Sequence, residues 1–172
     1  MMPIILAFRY SILFVLGAVL SQYAVAQNSE ILAFKSFYKL PIGSQGLEMT
    51  DALRNAHGRQ RTIVGYMVQQ ERPSLGRFLL SPRPVQMSEH ADGEADDLPA
   101  ALVTVYLDAS QNDWAIPYTR GLISLTGTIE VGRLEETDGR VSWVRMRVTP
   151  EATRGMSPSE LAQYFHSLQH KH

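Results

Sequence analysis

The densest chemistry in this chain lies between positions 90 and 96. There His90, Asp92, Glu94 and Asp96 put a nitrogen or oxygen ligand at every second residue. One imidazole and three carboxylates in that alternation suit a divalent cation, so these four are the metal candidates. The spacing departs from that of an EF-hand Ca²⁺ loop. Counted from Asp92, the sixth position must be Gly and the twelfth Glu, and Asp97 and Val103 stand there instead. The plainer reading is an acidic loop in water. Near the C-terminus, His166 and His170 have the i, i+4 spacing that can hold Zn²⁺ or Cu²⁺ on a helix, and His172 follows. A terminal histidine tract is also readily incidental.

Hydrolytic chemistry has no comparable footing. The chain holds no Gly-x-Ser-x-Gly elbow and no His-Glu-x-x-His motif. His57 and His90 are each capable of general-base work, but nothing pairs either with a nucleophile. His57 falls at an expected helix end, where the dipole favours a cationic ring, and that is a structural role. Cys is absent, so no thiolate serves as nucleophile or ligand and no disulfide staples the fold. A non-enzymatic protein is the expectation.

Surface binding is the remaining chemistry. Trp143, Arg145 and Arg147 alternate along one predicted strand, and Tyr106 faces outward with Thr104 on another. An aromatic ring beside two guanidiniums can grip an anion, a sugar or a protein. The competing reading hides Trp143 beneath a C-terminal helix.

Where these groups work depends on the first 26 residues. Arg9 is the one charge among them, the apolar run Ser11–Leu20 follows, and Ser21–Ala26 ends in small residues. That is the layout of a secretory signal peptide, with cleavage expected after Ala26. The run is short for a membrane span of about 20 residues, which a retained anchor would need. No later apolar segment approaches that length, so no integral membrane segment is expected after cleavage. A lipoprotein anchor would need an acylatable Cys. The expected location is the bacterial periplasm, with secretion as the variant.

The mature chain would carry 15 basic and 17 acidic residues, a net of −2. Nucleic acid demands a concentrated cationic surface and is not an expected partner. Charge is uneven along the chain. Residues 51–85 hold arginines 54, 59, 61, 72, 77 and 83, whereas residues 86–113 hold seven acids and no Lys or Arg. The simple expectation is that the two segments neutralise each other. The sharper one is an acidic loop offered to a cation or basic partner.

The elements that must position these groups follow from periodicity. Residues 27–44 form an apolar lead-in. Leu47–His57 reads as a helix through Met49, Leu53 and Ala56, stopped by Gly58. Period-two alternation then predicts strands at Thr62–Val68, Arg77–Ser81, Ala101–Leu107, Gly121–Val131 and Val141–Val148. One buried face and one wet face imply antiparallel pairing. Gly65 and Gly127 mark bends or bulges. Ser157, Pro158 and Glu160 make a helix start with a capping box, and Leu161, Tyr164, Phe165 and Leu168 share its apolar face. The predicted fold is mainly β with α: a small five-stranded antiparallel OB-like barrel with an N-terminal and a C-terminal helix. A β-sandwich would want about seven strands. The chain divides into a signal peptide at 1–26, a lead-in and helix at 27–57, the barrel at 58–149 and the C-terminal helix at 150–172. In such a barrel, ligands lie across strands two and three and between the loops Gln69–Gly76 and Gly132–Arg140.

The runs Gly58–Val68, Arg77–Pro82, Leu102–Leu107 and Thr126–Ile129 resemble strands of a group of uncharacterised exported bacterial proteins. The resemblance spans about residues 58–149 and implies an OB-like fold. It also implies a setting beside components of ABC-type exporters, with an envelope protein or small ligand as partner. The family's Cys-x-His is altered here: Ser88 stands where Cys would, His90 keeps its place, and the proline-rich turn is mostly gone.

Overall fold

Alternating apolar residues build five main strands in the computed structural model, which describes residues 29–87, 89–90, 93–94 and 98–168. The expected leader, Asp92, Asp96, His170 and His172 lie outside the described residues, as do the side chains of His90 and Glu94. The strands are β1 (Gln60–Met67), β2 (Arg77–Ser81), β3 (Val103–Tyr106), β4 (Leu122–Glu135) and β5 (Val141–Val148). They pair in the order β1-β2-β3-β5-β4, and β4 pairs back onto β1, so the sheet closes on itself.

Four of the five pairings are antiparallel, and β3 with β5 is parallel. The expectation of an all-antiparallel sheet is therefore corrected: the sheet is mixed. The reason is parity. Strand direction cannot alternate all the way round a closed ring of five. Period-two patterning reports which face is buried and is silent on the neighbour's direction.

β4 joins the two halves of the ring. Its first half pairs with β1, and from Gly127 onward it pairs with β5. Gly127 is paired on both sides, and β5 crowds it. A Cβ there would lie 2.2 Å from the Arg147 carbonyl oxygen. Close backbone approach, and no bulge, is thus what this glycine permits. The bulge falls later, between Val131 and Leu134.

Inward side chains fill the ring. Ile63, Leu80, Val103, Val105, Ile123, Leu125, Ile129 and Met146 are completely buried. The lead-in supplies Phe37, also completely buried, and helix α1 (Asp51–Ala56) supplies Leu53. This helix is shorter than expected. Thr50 caps it by accepting the Leu53 N–H, and Met49 is in a hairpin bridge with Tyr38. His57 ends it, and its Nδ1 accepts the Val131 N–H at 3.0 Å. The ring thus serves as an acceptor, a role that a cationic imidazole cannot fill.

Two helices close the chain, α2 (Pro150–Thr153) and α3 (Pro158–Ser167). The capping box of Ser157 and Glu160 is formed. Leu161, Phe165 and Leu168 are buried, and Phe165 meets Phe78 edge-on with ring centroids 5.2 Å apart. The helix packs on the core and leaves Trp143 uncovered, 48% exposed. Short ladders pair Gln69–Gln70 with Gln86–Met87 and Glu89–His90 with Gly93–Glu94.

A candidate binding groove on strands two, three and five

A groove of about 330 Å³ opens on the outer face of β2, β3 and β5. Leu79, Pro99, Ala100, Thr104, Val141 and Trp143 are among the residues that line it. The turn after β4 crosses its polar end with Glu136, Asp138 and Arg140. The volume falls in the range of small-ligand pockets, and an apolar wall with a few convergent polar groups is their usual make-up.

Arg77 holds the polar end together. Its guanidinium donates to Glu136 Oε2 at 2.6 Å, to Asp138 Oδ2 at 2.8 Å and to Thr137 Oγ1 at 3.3 Å. The Tyr106 hydroxyl donates to the same Glu136 oxygen at 2.5 Å. Arg77 and Tyr106 are directly opposite each other in the β2–β3 ladder, so their side chains rise from one spot on the outer face. Arg140 donates to Asp138 through Nε and Nη2 and completes the cluster.

The other oxygen of Glu136, Oε1, is buried and has no hydrogen-bond partner among the described residues. A buried acceptor without a donor costs about 1–3 kcal/mol.

The neighbourhood perturbs two acids. Burial, then the bond and charge of Glu136, push the Tyr106 phenol up to about 12 against the opposing pull of Arg77. At neutral pH it is a hydrogen-bond donor and a poor general base. For Asp138, burial pushes the carboxyl up, but the hydrogen bonds and charge of Arg140, with Arg77 behind them, more than offset it. The group sits below its ordinary value.

The sequence-predicted residues fall around this groove in different ways. Trp143 lines it. Tyr106 reaches its polar end through Glu136. Arg147 lies farther along the same face, with its guanidinium carbon 5.0 Å from the Tyr106 ring centre and Nε 2.7 Å from Glu130. Arg145 is enclosed, at 7% exposure. It donates to the Gly132 carbonyl at 2.8 Å and to the Ser142 hydroxyl at 3.1 Å, and it fills the gap that the β4 bulge opens. Alternation placed Arg145 on the outer face. The bulge then covered it.

Arg77, Glu136, Asp138 and Arg140 were not singled out by sequence, although the expected loop Gly132–Arg140 contains three of them. The signal available was a turn dense in charge facing a strand that opens on Arg. Of the acids in 86–113, Glu89, Asp92, Glu94, Asp96 and Asp97 have side chains outside the described residues. Arg54 pairs with Asp51, Arg61 with Glu30, and Arg77 with Glu136 and Asp138, while Asp108 pairs with Arg154. The candidates Asp92 and Asp96, and the side chains of His90 and Glu94, fall outside the described residues.

No family model and no curated protein matches this chain. Among solved structures, it is similar to a DUF3299 family protein from Pseudomonas aeruginosa PAO1, at 15% identity and a TM-score of 0.44. The match covers 70% of this chain and 93% of that one.

Proposed function

We propose that this chain is a non-enzymatic binding module of the bacterial cell envelope, with an OB-like barrel, that serves an ABC-type export system through the groove beside Trp143. The pairing order β1-β2-β3-β5-β4, closed by β4 on β1 and with β3 parallel to β5, supports the OB-like reading. In that architecture ligands lie on strands two and three between the loops that follow strands one and four. The groove occupies that place, with Ser74 from the first loop and Glu136, Asp138 and Arg140 from the second. This coincidence is the observation that carries the proposal. The leader-like first 26 residues support export.

Site-specific photocrosslinking tests it. A benzoylphenylalanine at position 143, in protein expressed with its own leader, is irradiated in intact bacteria. The expected result is one discrete envelope adduct, absent when the probe stands at Arg133 on the exposed end of β4. A product that keeps its leader in the cytoplasm, or identical adducts from both positions, defeats the proposal.

A further inference from the structure

We infer that the groove takes an extended, uncharged peptide segment as an added strand on the free edge of β5. This rests on the groove being the binding face proposed above.

β5 pairs with β4 from Val141 to Val148, except at Trp143, which falls opposite the β4 bulge. On its other side only Arg145, Met146 and Arg147 are paired, with Thr104, Val105 and Tyr106 of β3. Val141–Val144 therefore have no strand beside them on that side among the described residues. The chain ahead of β3 turns away instead. Leu102 N–H donates to the Ala100 carbonyl at 3.1 Å, a tight local turn that ends any ladder there.

Phe78 and Val144 back the groove from the core, at 3% and 1% exposure.

A strand edge of this kind presents N–H and C=O groups at regular spacing, and another extended chain can pair with them. Four residues of edge span about 13 Å. Proteins usually blunt such edges with charge or proline. Val141-Ser-Trp-Val144 carries neither.

Charge sets the occupant's composition. The polar end holds two cations, Arg77 and Arg140, and two anions, Glu136 and Asp138, already paired with one another. Among the described residues that end offers no net charge, and its complement is an uncharged chain. Exposed Val141 and Trp143 suit apolar side chains on alternate positions of the guest.

The test is ¹⁵N NMR titration of protein purified after expression with its own leader. The probes are capped hexapeptides alternating Val and Thr, the same peptides N-methylated at alternate residues, and maltohexaose. The peptides are expected to shift the amides of 141–144 and 100–102. N-methylation, which removes the pairing donors, should abolish the shifts. Trp143→Ala should weaken binding about tenfold while leaving the rest of the spectrum in place. No shift with any peptide, equal binding of the N-methylated set, maltohexaose at the same amides, or an edge-to-edge dimer in the free protein would each overturn the inference. A partner crosslinked at position 143 with no peptide binding leaves the binding face standing and removes only the strand addition.

Discussion

Arg77 and Glu136 are 59 residues apart in sequence, and their charged atoms meet at 2.6 Å with side chains only 13% and 7% exposed. This contact ties β2 to the turn between β4 and β5 and shuts the polar end of the groove. Solvent screens it little, so it behaves as an interior pair. Removing one partner leaves the other buried and unpaired. Arg77→Met is expected to destabilise the fold by about 3 kcal/mol in urea unfolding. Adding Glu136→Gln to that variant should recover part of the loss, because the abandoned charge is then gone. Simple addition of the two single effects would show that the residues are not coupled.

Tyr106 makes the same contact visible in alkali. Its folded value is about 12, against an ordinary value of 10.0. Below pH 10 both folded and unfolded states hold the phenol proton. Between about pH 10 and 12 the unfolded state releases it first, so stability falls across that window. Phenolate absorbance should show a late-titrating component, to which burial of Tyr38 and Tyr164 also contributes, and Tyr106→Phe should remove the share that Tyr106 supplies. A Tyr106 that ionises with the exposed tyrosines would mean that the Glu136 contact does not form in solution.

Acid tests the carboxylates. Asp138 and Glu130 are held below their ordinary values, although burial alone would raise both. For Asp138 the offsetting groups are Arg140 and Arg77, and for Glu130 they are Arg147 and Arg145. Each contributes stability that is complete above the unfolded carboxyl value, about 4, and is lost as pH falls towards the lower folded value. Thermal midpoints should therefore drop as pH descends from about 4. Asp138→Asn should flatten part of that slope, and an unchanged slope in the variant would exclude this residue as a source.

How much of this was legible depends on what each pattern measures. β2 and β5 lie where alternation puts them, because both have one face buried along their length. The far end of β4 was missed because Gly132–Glu135 carries no alternation to read. α1 was begun too early because Met49 fits a helical spacing while it pairs with Tyr38 in a hairpin. The Arg77–Glu136 contact was out of reach. It exists only because the sheet closes, and closure is a property of five strands together. The parallel β3–β5 pair was within reach once a closed ring of five was assumed, since an odd ring forces one parallel neighbour.

Gly127 allows a sharp test of that closure. A Cβ at this position meets the Arg147 carbonyl oxygen at 2.2 Å and Met146 Cγ at 2.7 Å, and the first of these is backbone that cannot swing aside. Gly127→Ala should cost about 3 kcal/mol or leave the protein insoluble. Gly43→Ala, where a Cβ meets nothing within 4 Å, should be close to neutral and serves as its control. Equal stability of the two variants would mean that β4 does not pass this close to β5.

Two neighbouring arginines separate structural from surface roles on β5. Arg145 is enclosed and serves the Gly132 and Ser142 carbonyls across the bulge, with Glu130 as its counter-charge at 3.4 Å. Arg147 also pairs with Glu130, at 2.7 Å, but its side chain is 56% exposed. Proximity alone would rank Arg147 as the stronger contributor. Burial reverses the order, because water screens the exposed pair and cannot replace the lost donors of the enclosed one. Arg145→Met should cost about 3 kcal/mol and loosen the bulge, seen as faster amide exchange around Gly132. Arg147→Ala should cost no more than about 1 kcal/mol. If Arg147→Ala proves the more damaging in urea, the bulge is not held by Arg145.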